Sequence, residues 1–222
     1  SRSYTDKEGL ILVSETILNG SRVRTFYIYD KYNNLTYVIS PMGQTDIESL
    51  LQIPNSSFTV NNEFIKDYCY YYKYDYLKRQ IEKKLPGKEP EYTIYDNYSR
   101  VALTQDGNLR ANDLWFFTKY DALDRPVITG TTNQFIINGT AQTRAEIQTL
   151  FEQQTSGFYE TKDNNHAYTD VSLPHIINNA PIETTILQEF YYDDYRFPDA
   201  TNYPFVSYSG FDDNWHQYSR GS

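Results

Sequence analysis

The stretch CYYYKYDYLKR, residues 69–79, decides the fold prediction because it groups five tyrosines around a single Tyr-Asp pair. Alternating aromatic residues before the pair are typical of a β-strand on a half-buried sheet, and an aspartate at this place is typical of a tight turn. Arg79 stands four residues after Asp75. Three interpretations are open at this point: a basic aromatic surface for nucleic acid, a catalytic carboxylate, or one copy of a repeated hairpin.

The chain repeats this pattern. Four Tyr-Asp pairs are each followed by a turn and a second β-rich run: Tyr29-Asp30, Tyr74-Asp75, Tyr95-Asp96 and Tyr120-Asp121. Arginine stands four residues after the aspartate in three copies, as Arg79, Arg100 and Arg125, while Asn34 takes that place in the first. A fainter copy begins at Tyr4 and places Gly9 three residues after Asp6. Self-similarity of this kind indicates a repeat architecture.

Each copy is predicted to be a β-hairpin. The aspartate can accept backbone N–H bonds inside its own turn, and the arginine is close enough to pair with it or to stack on a neighbouring tyrosine. A single hairpin is marginal in water, whereas adjacent hairpins share one sheet and bury their aromatic faces. We therefore predict a mainly β fold, an antiparallel stack of hairpins that forms part of a curved sheet or shell, with a few short helices.

Charge and recurrence argue against the other two interpretations. The formal net charge is -9 and the sequence pI is about 4.8, whereas phosphate recognition needs a concentrated basic surface. Asp75, Glu82 and Glu89 also interrupt the local lysine cluster. The same aspartate recurs in turns that cannot all be active sites, and no spacing nominates a glycosidase carboxylate pair. We expect no nucleic-acid partner, no catalytic residue and no enzyme activity.

The sequence also predicts no metal, cofactor or membrane segment. Cys69 is the only cysteine, and the three histidines lack companions at ligand spacing. The best apolar run, LILV at residues 10–13, falls far short of the ~18 residues of a membrane helix, and no basic-then-apolar signal opens the chain.

The pattern along the chain predicts a single domain with five segments. These are first hairpins at 1–41, a helical insertion at 42–68, core repeats at 69–130, a helix plus long loop at 131–182, and a returning strand and tail at 183–222. The insertion is expected to hold short helices near 45–52 and 61–67.

Beyond residue 130 the β-strand pattern of the repeats is interrupted. Thr143 and Glu146 have capping-box spacing, which predicts a helix from about 144 to 154 that packs on the sheet through Ile147, Leu150 and Phe151. Residues 156–170 are expected to form a long loop or irregular hairpin. A strand is expected to return at 183–197, where another Tyr-Asp pair stands at 192 and 193.

Tyr-Asp units with arginine four residues on resemble the YD repeats of bacterial Rhs proteins. Longer segments are similar too, including TYVISP after YIYDKYNNL, the whole of residues 69–108, WFFTKYDALDRPVITG and EFYYDDYRF. The likeness runs from Tyr4 to Phe197 and is closest to the N-terminal, repeat-bearing part of a large Rhs-family protein. It implies a structural role for the Tyr, Asp and Arg residues of the repeats.

One departure from the family concerns the residue before the arginine, where the family prefers glycine because the turn needs a positive φ. That place holds Asn33, Lys78, Ser99 or Asp124, and glycine only at Gly9. Asn and Asp tolerate the left-handed region, but Lys78 and Ser99 would each cost roughly 1 kcal/mol. Either these turns differ or the array tolerates the strain. The self-cleaving aspartyl site of the family's shells has no counterpart in this sequence.

The resemblance implies a hollow shell in which a long β-sheet encloses a C-terminal polypeptide, frequently a toxin. The first hypothesis is therefore a non-catalytic wall segment of a secreted or cell-surface protein. Its partners would be the rest of the same polypeptide and its C-terminal domain.

The alternative hypothesis is a carbohydrate-binding or adhesive module, in which exposed tyrosines stack on sugar rings. The direction of the tyrosine side chains distinguishes the two hypotheses. Free strand edges also predict self-association between copies.

Overall fold

The computed structural model describes residues 1–44, 63–137, 139–174 and 182–192, and it is mainly antiparallel β-sheet. The strands are β1 (Arg2–Thr5), β2 (Ile11–Leu18), β3 (Ser21–Tyr29), β4 (Leu35–Ile39), β5 (Cys69–Tyr74), β6 (Gln80–Lys84), β7 (Glu91–Tyr95), β8 (Val101–Gln105), β9 (Leu114–Tyr120), β10 (Pro126–Asn133), β11 (Ile136–Ile137), β12 (Thr140–Ala141) and β13 (Thr184–Glu189). The helices are α1 (Glu63–Tyr68), α2 (Gly107–Ala111) and α3 (Arg144–Glu152), with a 3-10 turn at Pro41–Gly43.

Eleven strands are hydrogen-bonded in the order β1-β2-β3-β4-β5-β6-β7-β8-β9-β10-β13, and β11 pairs with β12 separately. Neighbours in the large sheet follow the chain, except that β13 comes directly after β10. The sheet is open, with β1 and β13 at its two ends. The predicted fold class, a mainly β antiparallel array of hairpins with a few short helices, is confirmed.

The register between successive hairpins is constant when it is counted from the aspartate of each turn. Val13, seven residues after Asp6, lies opposite Phe26, which is four residues before Asp30. The same offset pairs Tyr37 with Tyr71 and Glu82 with Tyr92. Because a shift of one residue would turn every side chain to the other face, this constancy keeps equivalent residues of the hairpins on the same face.

The register is also constant inside the three hairpins whose turns hold Asp6, Asp30 and Asp75. The residue before the aspartate lies opposite the fifth residue after it, as in Tyr29 with Leu35 and Tyr74 with Gln80, next to a bulge in each case. The fourth residue before the aspartate lies opposite the ninth after it, as in Tyr71 with Lys84.

The chain divides into two compact units. The first contains residues 1–94 and 104–114, and the second contains residues 95–103 and 115–222. In the first unit Ile39, Ile65 and Cys69 form a buried cluster, so α1 is joined to the sheet by apolar contacts. In the second unit Trp115 and Phe117 of β9 are almost completely buried.

The helix predictions near residue 61 and at 144–154 are confirmed, as α1 and α3. Thr143 caps α3, its side chain accepting from the Glu146 N–H while the Glu146 carboxylate accepts from the Thr143 N–H, a full capping box. Ile147 and Phe151 of α3 are buried. The helix expected near 45–52 lies outside the described residues.

The structure adds one helix that was not predicted, α2, at a place where the sequence indicated only the end of a strand. Asp106 caps α2 by accepting from the Leu109 N–H at 2.8 Å. The Asp-Gly-Asn sequence does end β8, but its aspartate then begins a helix of five residues.

Residues 156–170 form an irregular hairpin, with an isolated bridge between Lys162 and Tyr168. The returning strand is β13, which is shorter than the predicted 183–197. The remainder of that prediction, from residue 193 onward, and the tail lie outside the described residues.

The third residue after the aspartate has a positive φ in every turn named above. The angle is 64° at Asn33, 62° at Lys78, 64° at Ser99, 60° at Asp124 and 89° at Gly9. The turns therefore share a left-handed residue at this position, and the array tolerates the strain of non-glycine residues.

Lys78 offers a direct measure of that strain. We expect Lys78→Gly to have a free energy of unfolding about 1 kcal/mol higher than Lys78→Ala, because both variants lose the same ammonium group and only glycine adopts the left-handed conformation without cost. Urea unfolding of the two variants measures the difference. Equal stabilities, or a less stable glycine variant, would show that this turn carries no backbone strain.

Candidate functional site

The repeated feature of the structure is a five-residue turn that begins with aspartate, called here the Asp turn. At Asp121 the backbone closes the turn twice, by Asp121 N–H to Arg125 O at 3.0 Å and by Asp124 N–H to Asp121 O at 3.2 Å. The carboxylate oxygen Oδ1 accepts from the N–H groups of Leu123 and Arg125, both at 2.9 Å. The other oxygen, Oδ2, accepts from Arg125 Nε at 2.7 Å. One side chain thus fixes both the turn and the arginine.

The Asp75 and Asp96 turns have the same set of bonds. Their Oδ1 atoms accept from the N–H groups two and four residues on, and their Oδ2 atoms accept from Arg79 Nε at 2.7 Å and Arg100 Nε at 2.6 Å. In the Asp30 turn the side-chain amide of Asn34 replaces the guanidinium, at 2.9 Å. The hydrogen bonds expected of the aspartate are therefore present in all four turns.

Two further Asp turns keep the backbone geometry and have no arginine at the fourth position. Asp6 accepts from the N–H groups of Glu8 and Leu10. Asp163 accepts from those of Asn165 and Ala167, at 2.8 and 2.9 Å, with His166 at a φ of 64°. The sequence analysis missed the Asp163 turn because no tyrosine precedes it, although an aspartate followed by three polar residues was a usable signal.

Burial and hydrogen bonding change the pKa of the Asp-turn carboxyl groups in opposite directions. Burial raises the pKa of Asp121, but hydrogen bonds from Arg125 and from the Leu123 N–H outweigh it, so the pKa lies below its ordinary value. The pKa of Asp30 is lowered in the same way: burial raises it, and bonds from Asn34 and Tyr32 together with the charge of Lys78 outweigh that effect. Both aspartates are held as carboxylates.

Three tyrosines that stand immediately before a repeat aspartate in the sequence bond to the hairpin before them, and this contact is called here the Tyr bracket. The hydroxyl of Tyr29 donates to Ile11 O at 3.1 Å, and that of Tyr120 donates to Val101 O at 2.9 Å. Tyr192 donates to Pro126 O at 2.9 Å. In each case the acceptor is the fifth residue after the preceding aspartate, so the three contacts are equivalent.

In the second unit, an arginine also stacks on the ring of each bracket tyrosine. The guanidinium of Arg100 lies 4.8 Å from the centre of the Tyr120 ring, and that of Arg125 lies 4.6 Å from the centre of the Tyr192 ring. Each arginine therefore pairs with the aspartate of its own turn and stacks on the tyrosine of the next hairpin. The planar guanidinium suits both contacts at once, which an ammonium group does not.

Arg100 makes further contacts that join three segments. Its Nη1 donates to Asp124 Oδ1 at 2.8 Å, and its Nη2 donates to Phe158 O at 2.6 Å. Its side chain is only 10% exposed. The guanidinium of Arg100 therefore joins the Asp96 turn, the Asp121 turn and the residue 158 segment.

The tyrosines before the Asp75, Asp96 and Asp121 turns have similar surroundings. Tyr74, Tyr95 and Tyr120 are half-buried and each ends a strand immediately before an Asp turn. Burial raises the pKa of Tyr74 and of Tyr120. The tyrosines at the tips of turns differ, since Tyr32 is 61% exposed and Tyr76 is 81% exposed.

Sequence analysis missed Gln148, which lies on the buried side of α3. Its side-chain oxygen accepts from Tyr95 N–H at 3.1 Å, and its nitrogen donates to Tyr95 O at 2.9 Å. The side-chain amide of Gln148 thus bonds both backbone groups of Tyr95 at the end of β7, as the backbone of a neighbouring strand would. A polar residue beside two buried apolar positions of an amphipathic helix was the only signal for it.

Glu160 was also missed, since it lies in a segment that was interpreted as a polar loop. It is 1% exposed, and its carboxylate accepts from the hydroxyl of Thr169 at 2.7 Å and from Ser172 N–H and Oγ–H at 2.9 and 2.6 Å. The Val171 N–H completes the set. The buried carboxylate therefore closes the residue 160–172 segment.

Two lysines of the cluster near Asp75, Lys83 and Lys84, have partners within the protein. Lys84 is buried, and its ammonium donates to the backbone oxygens of Ile65, Lys66 and Leu85 at 3.4, 2.5 and 3.3 Å. Burial lowers its pKa. The ammonium of Lys83 lies 3.8 Å from the carboxylate of Glu91. The Lys84 contacts join α1 to the sheet, and the Lys83–Glu91 pair joins β6 to β7.

A polar cleft of about 360 Å³ in the first unit is lined by Lys88, Glu89, Glu91, Asp106, Gly107 and Asn108. In the described part of the chain, no three or more His, Cys, Asp or Glu side chains are placed to share a metal ion. Within the same ranges, no helix has the length and apolar character needed to cross a membrane.

Comparison with known proteins gives matches among solved structures only. No protein-family model and no curated protein sequence matches the chain. The crystal structure of TcdB2-TccC3 is similar at 18% identity with a TM-score of 0.42, covering 62% of this chain and 7% of that chain. The crystal structure of TcdB2-TccC3-TEV gives 18% identity, a TM-score of 0.41 and the same coverage.

A mutant Photorhabdus luminescens Tc holotoxin pore matches at 19% identity with a TM-score of 0.42, covering 63% of this chain and 6% of that chain. The chain thus spans less than a tenth of the structures it matches.

The charge of Asp121 is testable through the pH dependence of stability. Asp121→Asn keeps an oxygen for the two turn N–H groups but loses the ion pair, so we expect a loss of about 1–3 kcal/mol at pH 7. Because the folded pKa of Asp121 is lowered, its contribution is present above the unfolded pKa near 4 and is lost as pH falls through the folded value. The loss caused by the variant should therefore shrink as the pH falls below about 4.

Asp163→Asn is the matched control, because the Asp163 turn has the same backbone bonds and no arginine at its fourth position. Thermal unfolding at a series of pH values measures both variants. An equal loss at pH 7 in the two turns, or a loss at Asp121 that does not change with pH, would contradict a role for the Asp-Arg pair.

Proposed function

We propose that this chain is a structural wall segment of an Rhs/YD-repeat shell that encloses or presents a C-terminal effector or toxin domain. In this proposal the chain is non-catalytic and belongs to a secreted or cell-surface protein. Its partners are the rest of the same polypeptide shell and the C-terminal domain. Neither a nucleic acid nor a membrane-inserted segment has a role.

The observation that carries the proposal is the Tyr bracket combined with the Asp-Arg pair. Three tyrosines, Tyr29, Tyr120 and Tyr192, donate their hydroxyls to backbone oxygens of the preceding hairpin. Arg100 and Arg125 each pair with an aspartate and stack on a tyrosine. A wall needs bonds between successive elements, whereas a binding surface needs the same groups free for a ligand. The Asp carboxylates are likewise occupied by their own turns, which supports a structural role over acid–base chemistry.

The test uses the polypeptide encoded by the complete reading frame. We expect a protease to cleave its C-terminal domain much more slowly within the native polypeptide than as an isolated domain. Arg100→Ala should accelerate cleavage roughly tenfold, because it leaves the Asp96 carboxylate unpaired and releases Asp124 and Phe158 O, at a cost of about 1–3 kcal/mol.

Lys7→Ala is the control. Like Arg100→Ala it removes one positive charge, but from an exposed turn residue, and it should leave the cleavage rate unchanged. A C-terminal domain cut equally fast inside the unaltered polypeptide and alone would overturn the wall function.

Carbohydrate binding is the second candidate, and the exposed tip tyrosines are the observation that favours it. Tyr32 and Tyr76 belong to the Asp30 and Asp75 turns of the first unit and stand open to solvent. The lining of the polar cleft, in contrast, contains no aromatic side chain. Sugar rings bind by stacking on aromatic faces, so the turn tips rather than the cleft would be the binding site.

Titration with a panel of neutral oligosaccharides, followed by tyrosine fluorescence, separates the two candidates. The wall function predicts no saturable signal. Adhesion predicts a saturable signal that Tyr76→Ala weakens at least tenfold, while Leu77→Ala, at an exposed apolar neighbour in the same turn, leaves it unchanged.

A further inference from the structure

Two tyrosine side chains from distant parts of the sequence are in ring contact in the second unit. The ring centre of Tyr168, in the irregular hairpin, lies 5.1 Å from that of Tyr191, which follows β13, and the ring planes are inclined by 34°. At this separation the edges of two aromatic rings touch. The carbons beside the two hydroxyls can therefore meet after small rotations of the side chains.

Both phenol hydroxyls donate to acceptors near the end of β13. The Tyr191 hydroxyl donates to Oε2 of the Glu189 carboxylate at 3.1 Å. The Tyr168 hydroxyl donates to Phe190 O at 2.8 Å. A carboxylate within hydrogen-bond reach can take the proton of its donor, whereas a backbone carbonyl oxygen is too weak a base to do so. Tyr191 is therefore the tyrosine of this pair that has a proton acceptor in place.

We propose that Tyr168 and Tyr191 form a site of oxidative cross-linking, at which a haem-peroxidase-type oxidant acting with hydrogen peroxide joins the two rings as dityrosine. Each phenol loses one electron and one proton and becomes a phenoxyl radical. A C–C bond then forms between one ortho carbon of each ring, and each of these carbons loses its proton while its own phenol oxygen regains one. Hydrogen peroxide takes up the two electrons and two protons and leaves as water.

Glu189 directs the first oxidation to Tyr191. Loss of an electron makes a phenol hydroxyl strongly acidic, so the electron leaves more readily when a base accepts the proton in the same step. The ammonium of Lys162 lies 5.4 Å from the ring centre of Tyr191 and 5.7 Å from that of Tyr168, and its positive charge opposes the loss of an electron from either ring. Transfer of the proton to Glu189 offsets this opposition at Tyr191. The radical formed there is already in contact with its partner ring.

Another tyrosine pair shows that ring contact alone does not make such a site. The rings of Tyr37 and Tyr71 lie 5.0 Å apart on neighbouring strands of the first unit. Tyr71 is only 8% exposed, and burial raises its pKa to about 12, which makes its proton hard to remove. Tyr168 and Tyr191 are half-buried, so an oxidant can approach them. The second-unit pair is therefore the better substrate.

A dityrosine here supplies a covalent link that cysteine cannot supply. Cys69 is the only cysteine of the chain, so no intrachain disulfide can form. The Tyr168–Tyr191 bond ties the irregular hairpin to the end of β13. A link between residues distant in the sequence also restricts the unfolded chain, as a disulfide does.

Oxidation of the 222-residue chain at low concentration, with a peroxidase and limiting hydrogen peroxide, tests the proposal. Digestion with trypsin and a glutamyl endopeptidase gives peptide 163–183, whose only tyrosine is Tyr168, and peptide 190–196, which contains Tyr191. We expect these two peptides to be joined, with a mass lower than their sum by two hydrogen atoms. Tyr191→Phe should abolish the joined peptides, while Tyr159→Phe, at a 42% exposed tyrosine of the same hairpin, should leave their yield unchanged.

Glu189→Gln tests the proton acceptor separately, because the amide still accepts the Tyr191 hydrogen bond but does not take the proton. We expect cross-linking in this variant to be about tenfold slower, measured by dityrosine fluorescence. An unchanged rate would contradict the role of Glu189.

Three outcomes would overturn the cross-linking site itself. These are an unaltered chain that gives no joined peptides, joined peptides that persist in Tyr191→Phe, and joined peptides found only in covalent dimers of the chain. All three are read from the chain itself, so they do not depend on what the parent polypeptide encloses.

Discussion

The array of hairpins depends on the aspartate carboxylate of each Asp turn, because its two oxygens make two different kinds of bond. In each complete Asp turn, one oxygen accepts two backbone N–H groups while the other holds the arginine four residues on. The first use fixes the turn type, and the turn type fixes a bulge next to it and hence the pairing of the flanking strands. The second use aims the guanidinium at the next hairpin. Local turn chemistry therefore sets both the register within a hairpin and the bonding between hairpins.

The Asp turns were predictable because every bond in them joins residues at most four positions apart. Composition and repetition were enough to indicate hairpins, and capping-box spacing was enough for α3. The sequence left open whether Lys78 and Ser99 adopt the left-handed conformation, and the structure shows that both do. The array keeps these residues in place because the surrounding bonds of the turn outweigh a strain of roughly 1 kcal/mol at each.

The contacts that sequence could not supply are those between distant residues. The acceptor of a Tyr bracket is a backbone oxygen, which every residue possesses, so no residue type identifies it. Gln148 and Glu160 are polar residues that sequence patterns assign to solvent, yet each is buried and fully engaged with backbone or hydroxyl donors and acceptors. Buried polar groups of this kind specify one arrangement of the segments around them, because any other arrangement would leave them unsatisfied.

The Tyr brackets have a direction along the chain. The donor hydroxyl always belongs to the later hairpin and the acceptor oxygen to the earlier one, from Tyr29 with Ile11 to Tyr192 with Pro126. A ribosome releases residues in that same order, so every acceptor has emerged before its donor. A nascent chain can thus bond each new hairpin to the preceding hairpin before downstream residues are synthesised. This order shortens the time during which an unpaired strand edge can misassemble.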